Sequence, residues 1–326
     1  MRERSERIDE QSTLSGRAAY RDELTRLAAE DDRIVCLEAD LGGRGQPFQK
    51  AFPDRFFNVG IAEATMIDMA AGLAAAGYKP FVSTFAPFAA LRAAESIKLA
   101  MGYHGAGITV VAPYAGVSGG WFGTTHHCLE DVAVLSSMPG ITVAAPYGER
   151  EMRAVIRRAA RTGTPHYVRT GRNAAPESLP WAGDEPPLIT WDDAGALPGR
   201  VCLVSAGEVG TGLCRAVRRT RPELPHAHLC LIDRHHLGLA AEELARRYDE
   251  FVVVEEHRPA GGVASALALL LPGRVVRSVD AGERWPGHGG SHEEVLDELG
   301  LNEAAVWRAL AARGEPEPLA VAGNES

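Results

Sequence analysis

Glu63 stands where an extended run, F-N-V-G over residues 57–60, hands over to an apolar helix-forming run, A-E-A-T-M-I-D-M-A-A-G. A carboxylate in the first helical turn after a strand lies where open α/β sheets gather their ligand groups. Ile67, Ala70, Ala71 and Ala74 continue one apolar face, and the small residues leave room for a flat ligand. Read alone, Glu63 suits equally well a helix-start acid, stabilised by the dipole by about 0.3–1 kcal/mol. Phe85 and Phe88 follow a strand end in S-T-F-A-P-F. At i, i+3 they can offer a stacking surface for a heteroaromatic ring, or serve as two core residues. The third place is G-G-W-F-G-T-T-H-H over residues 119–127, a glycine-rich loop between a predicted strand and a predicted helix. His126 and His127 there could move protons, because imidazole titrates near neutrality. No carboxylate or cysteine cluster offers further metal ligands beside them, so no metal site is assigned. A phosphate-cradling G-x-x-x-x-G-K-[ST] is missing from the sequence.

The elements that must position these residues follow a simple rhythm. Short apolar runs at 33–37, 81–83, 108–112, 141–144 and 166–169 read as buried strands. Between them, 16–29, 87–101, 127–137 and 149–162 read as helices. This alternation predicts an α/β fold with a parallel, doubly wound sheet. The first strand ends at Glu38-Ala39-Asp40, which puts two carboxylates at a strand's C-terminal end, before a loop with Gly42, Gly43 and Gly45. Four prolines between Pro176 and Pro187 mark a linker over 177–199. A second, smaller α/β unit is expected over 200–314, with strands at 201–205, 227–232, 251–255 and 274–276. Residues 1–13 read as a flexible arm and 315–326 as a flexible tail.

The bulk numbers narrow the class. With 326 residues, 45% hydrophobic content and a net charge of −9, the chain has enough apolar mass for two cores and no electrostatic case for nucleic acid or anionic membrane. The five cysteines fit no disulfide or zinc spacing. The polar start is no secretory signal, and no run is long enough to span a bilayer. A reducing cytoplasm is the expected compartment. Arg150, Arg153, Arg157, Arg158 and Arg161 fall on one predicted helix and read as a solvated face, with a subunit contact as the alternative.

Taken together, these stretches resemble the C-terminal half of a transketolase over roughly residues 14–315. F-N-V-G-I-A-E resembles the strand and glutamate of that thiamine-diphosphate family, S-T-F-A-P-F its aromatic pyrimidine pocket, and G-T-T-H-H-C-L-E-D its G-P-T-H-x-x-x-E loop. L-E-A-D-L and V-V-V-E-E-H-R-P-A-G-G resemble two further family signatures. The resemblance implies a pyrimidine-binding domain over 14–176 and a transketolase C-terminal domain over 200–314. It implies that Glu63 bonds a ring nitrogen of the aminopyrimidine and favours its imino tautomer, while the cofactor supplies the electron sink. By the same resemblance Phe85, Phe88 and Ile61 line the pyrimidine, and Asp40 lies toward the thiazolium. His126 contacts substrate oxygens with His127 beside it, and Arg172 contacts a donor phosphate.

Two departures shape the expected function. The family's diphosphate-binding domain, which holds magnesium, has no counterpart here. A separate partner subunit is therefore expected to supply that half, in an α2β2 assembly with the cofactor and Mg2+ between unlike chains. In addition, sugar transketolases carry G-E-D-G before the T-H, and here Gly120-Trp121-Phe122-Gly123 stands instead. Phe122 replaces an aspartate that reads a sugar hydroxyl, and Tyr114 stands where a phosphate-contacting histidine is usual. The expectation is a β-type subunit of a split transketolase-like enzyme that moves a two-carbon ketol or acyl unit onto a less polar substrate, in specialised metabolism. The β subunit of a 2-oxo acid dehydrogenase is the nearest alternative, and a non-catalytic scaffold is the alternative from another class.

Overall fold

Runs such as I-V-C-L-E and T-V-V-A have no polar face, so both sides of the sheet they form must be covered. The computed structural model describes residues 14–41, 46–175, 178–192 and 200–312. The arm 1–13, the tail 315–326 and the loop glycines Gly42, Gly43 and Gly45 lie outside the described residues. The first sheet has β1 (Ile34–Glu38), β2 (Phe56–Asn58), β3 (Lys79–Ser83), β4 (Thr109–Ala112), β5 (Thr142–Ala144) and β6 (His166–Arg169). Their order is β2-β1-β3-β4-β6-β5, and every pair is parallel. The helices of this half are α1 (Gly16–Ala28), α2 (Pro47–Ala51), α3 (Glu63–Ala75), α4 (Ala94–Ile97), α5 (Asp131–Ser136) and α6 (Gly148–Thr162).

Tyr20 and Leu24 of α1 and Met152 and Ile156 of α6 bury one face of this sheet, with Ile34 and Phe81. Ile67 and Ala70 of α3, with Ala90 and Ile97, bury the other against Val82 and Val110. Covering both faces is what makes the sheet doubly wound. The segment expected as one helix over 87–101 is not regular: Phe88–Arg92 and Lys98–Tyr103 wind as π-helix on either side of α4. The segment 127–137 is helical only in α5. Ahead of it, Cys128 pairs its backbone with Gly116 in both directions, which holds His127 and Cys128 extended.

The second sheet has β7 (Thr190–Trp191), β8 (Val201–Ser205), β9 (His226–His228), β10 (Glu250–Val254) and β11 (Val275–Val279), in the order β11-β10-β8-β9-β7. Only β7 runs antiparallel to its neighbour. It comes from the stretch expected as a linker. Helices α7 (Gly207–Thr220), α8 (Arg234–Ala245), α9 (Val263–Leu270), α10 (His292–Leu299) and α11 (Glu303–Ala311) complete this half. The strand expected over 227–232 splits between the sheets. Its first part is β9. Its last residues turn to β5, with Ala144 bridging Leu231, Ala145 N donating to Cys230 O (2.7 Å) and Ile232 N donating to Val143 O (2.8 Å).

Most of the α6 arginines are half-buried and paired within the chain rather than forming a freely solvated face, and Arg161 is exposed. Arg153 pairs with Asp22 and Glu149, Arg157 with Glu23, and Arg158 and Arg161 with Glu185. They pin α1 and the 178–192 stretch onto the same helix, which is why α6 carries so many. All five cysteines are buried as free thiols. Among the described residues, no helix is long and apolar enough to cross a membrane.

A second polar contact joins the halves. Glu208, in the first turn of α7, accepts from the Thr170 hydroxyl at 2.8 Å and from Gly171 N at 3.1 Å. Burial pushes its carboxyl up to about 7, against the two hydrogen bonds, which pull it down. A raised folded-state value means stability present below about pH 4.5 and lost as the pH rises through 7. Glu208→Gln keeps the shape and both partners. Relative to wild type it should gain about 1–3 kcal/mol of stability between pH 5 and pH 8, read from denaturant melts at the two pH values. Equal differences at both pH values would refute this.

Candidate active site at the strand ends

Every side chain singled out by sequence sits beyond the C-terminal end of a strand in the first sheet or on the loop that follows, as expected of open α/β sheets. Asp40 follows β1, Ile61 and Glu63 follow β2, Phe85 and Phe88 follow β3, Tyr114 follows β4, and Arg172 follows β6. Two ties hold the strand ends level: Ser83 Oγ donates to Val111 O (2.7 Å) and Ala86 N to Pro113 O (2.8 Å).

Glu63 is the first residue of α3 and only 3% exposed. Its Oε1 accepts from Arg92 Nη1 at 2.8 Å. The Arg92 guanidinium lies 4.3 Å from the centre of the Phe88 ring. From there a chain of ring contacts leads inward: Phe88 to His126 (5.3 Å), His126 to Phe122 (5.0 Å), Phe122 to Tyr114 (5.9 Å) and Tyr114 to Phe85 (4.6 Å). Arg172, exposed, places its guanidinium 5.8 Å from the Tyr114 ring. Glu63, Phe85, Phe88, Tyr114, Phe122, His126 and Arg172 thus form one contiguous cluster drawn from the connections after β2, β3, β4 and β6.

Burial, with the Arg92 charge in support, lowers the His126 pKa, so the ring is neutral at neutral pH and free to accept a proton. Its Nδ1 lies 3.0 Å from Thr125 Oγ1. Among the described residues other than glycine, only Asp40 (φ 47°) and Tyr114 (φ 63°) adopt the left-handed backbone region. For an aromatic residue that conformation is strained, and such strain gathers at functional sites.

Three expected site residues stay outside the cluster. Asp40 is exposed, while the other carboxylate of that strand end, Glu38, is buried against Arg21 (2.7 Å). Ile61 is 74% exposed at the rim. His127 is buried, and the charged or titratable groups near it include Glu256 and His292 of the second half as well as His126.

Sequence reasoning missed Arg92 and the clamp behind the loop. Glu256 Oε1 accepts from Val117 N at 2.8 Å and lies 2.8 Å from His292 Nε2. Burial lowers the His292 pKa, but the Glu256 carboxylate outweighs it and the net shift is upward. Gly116, at φ +65°, is packed so closely that a Cβ there would sit 2.0 Å from the Glu256 carboxylate carbon. Arg258 N donates to Leu129 O, and Arg169 pairs with buried Asp131 (3.0 Å) while donating to Glu256 O (3.1 Å). The E-E-H-R signature is therefore a rivet between the second half and the loop that carries Phe122 and His126. Its first member, Glu255, caps α9 instead, through Val263 N and Ala264 N. Glu256→Ala should cost about 2–3 kcal/mol, by stranding a buried N–H and an imidazole. Amide exchange at Val117 should quicken with it, and unchanged protection there would refute the clamp.

Among the described residues, no group of three or more His, Cys, Asp or Glu could hold a metal. The family described as transketolase, pyrimidine binding domain, matches residues 12–177. A putative transketolase C-terminal section from Methanocaldococcus jannaschii is 30% identical over 308 residues, covering 90% of this chain and 94% of that protein. One of the subunits of an apulose-4-phosphate transketolase from Phocaeicola vulgatus is 29% identical, over 90% of this chain and 96% of its own length. A solved split-gene transketolase, an inactive β4 tetramer, is 31% identical with a TM-score of 0.77, covering 91% of this chain and 99% of that one. Glu63 after β2, the aromatic pair after β3 and the T-H-H loop beneath them are thus found on a chain that belongs to the transketolase family, as its C-terminal, pyrimidine-binding portion.

Proposed function

We propose that this chain is the β-type subunit of a split, thiamine-diphosphate-dependent transketolase-like enzyme that transfers a two-carbon unit to a weakly polar substrate. The observation that carries this reading is the contiguous cluster of Glu63, Phe88, His126, Phe122 and Arg172. On this reading the first half, 14–176, is the pyrimidine-binding domain, and 200–314 is the transketolase C-terminal domain.

The residues fit the cofactor's pyrimidine end. Phe85 and Phe88 offer aromatic faces beside a buried carboxylate, the donor set that an aminopyrimidine needs. Thiamine diphosphate, when bound, supplies the electron sink. The chain's own work is local. Glu63 orients the pyrimidine and holds a proton at its ring nitrogen. Neutral His126 accepts or returns a proton at a substrate oxygen. Arg172 receives an anionic group on the substrate, and Phe122 and Tyr114 exclude water around the substrate's apolar part. Asp40 and Ile61, at the rim, are assigned to the cofactor's thiazolium side and edge, and His127 to backing His126.

Magnesium and the diphosphate fall to a separate partner subunit in an α2β2 assembly. Exposed apolar residues around the mouth support a covering partner: Ile61 (74%), Leu91 (51%) and Trp121 (72%). The cytoplasm is the proposed compartment, since all five cysteines are free thiols. The test is to express the chain alone and with a diphosphate-binding transketolase subunit, then titrate thiamine diphosphate with Mg2+ by calorimetry. Binding in the pair but not in the lone chain is expected. Binding by the lone chain would overturn the split site, and no binding in either would leave a scaffold.

A further inference from the structure

Arg92 touches both parts of the proposed pyrimidine seat. It donates to Glu63 Oε1 at 2.8 Å, and its guanidinium lies 4.3 Å from the centre of the Phe88 ring. Its side chain is 50% exposed, whereas that of Glu63 is 3% exposed. The backbone sets this reach. Phe88–Arg92 winds as a π-helix, a conformation that concentrates at functional sites. Wider turns bring the fifth residue of the segment back over the ring of the first.

A guanidinium is a flat N–C–N fork that stacks on rings and donates to carboxylates. An aminopyrimidine is likewise flat, and its ring nitrogen, when it carries a proton, is an N–H donor. Its two contacts under the reading above are a face on Phe88 and an N–H on Glu63. We propose that Arg92 is a place-holder for the aminopyrimidine: it keeps the buried Glu63 carboxylate paired in the chain by itself, and cofactor binding displaces it toward solvent. This rests on the cofactor reading given under Proposed function.

The physical logic is one of alternatives. A carboxylate this enclosed is costly without a partner. Arg92 supplies one at little cost to itself, because half of its side chain keeps its water. The measured cofactor affinity is then the difference between two pairings of Glu63. Removing Arg92 removes the competitor.

The experiment uses the chain assembled with its diphosphate-binding partner, titrated with thiamine diphosphate and Mg2+ by calorimetry. Arg92→Gln should bind up to about fivefold more tightly than wild type, the scale of one partly exposed ion pair. Arg92→Lys keeps the charge but loses the flat stack, and should fall between the two. In the lone chain, Arg92→Gln should lower the Tm, and adding Glu63→Gln should return most of the loss. If wild type binds and Arg92→Gln binds equally or more weakly, the place-holder is wrong and Arg92 belongs to the loaded site. Absence of coupling between the two residues in the lone-chain melts would also overturn it. If the wild-type pair binds no thiamine diphosphate, the cofactor reading itself fails, and this proposal with it.

Discussion

Glu63→Gln should lower two-carbon transfer by about 10²–10⁴-fold, the range for losing a positioned proton-transfer group, with little change in the fold. Glutamine has the same size and can still accept from Arg92 through its carbonyl. The buried face of α3, formed by Glu63, Met66, Ile67 and Ala70, therefore stays as it is. What it loses is the ability to hold a proton at a pyrimidine nitrogen. The loss should fall on kcat with cofactor still bound, measured by steady-state kinetics and calorimetry on the assembled enzyme. A variant that keeps more than about a third of its kcat would remove Glu63 from the chemistry.

Phe122→Asp combined with Trp121→Glu should shift the enzyme toward ordinary ketose phosphates, raising kcat/KM for them by at least about 100-fold. A site that hydrogen-bonds a substrate hydroxyl discriminates by orders of magnitude against one that cannot. Phe122 contacts Tyr114 and His126, so the carboxylate would enter the cluster beside the proposed proton acceptor. Both side chains are more than half exposed, 52% and 72%, so the substitutions should leave the core unaffected. If activity toward the native acceptor falls while ketose phosphates gain nothing, the loop does not read the substrate. The place assigned to Phe122 would then be wrong.

The parallel first sheet and the candidate side chains at its strand ends were legible in the sequence because their signals are local. A continuous apolar run such as 34–38 needs both faces covered, and a carboxylate or an aromatic pair just past such a run falls at the sheet's ligand edge. The resemblance then joined Glu63, Phe88, His126 and Arg172, and the structure brings those four into one cluster. What stayed illegible depends on distant partners. Nothing near Arg92 says that it will reach back to Glu63, 29 positions earlier. Nothing near Glu256 says that it will hold Val117, 139 positions away. The α6 arginines read as a solvated face because their acidic partners lie on α1 and at Glu185. His126 and His127 read as a pair, but His126 meets the aromatic rings while His127 is buried near Glu256 and His292 of the second half.

The crossing of Cys230–Ile232 onto β5 bears on how the polypeptide must be made. β5 is an edge strand, and in the finished chain its Val143 and Ala145 backbone groups are taken by residues synthesised more than 80 positions later. Until those residues leave the ribosome, the nascent first half presents a bare strand able to template pairing with other copies. A fragment truncated before β7 would keep that edge open permanently and should precipitate, however complete its own six-stranded sheet.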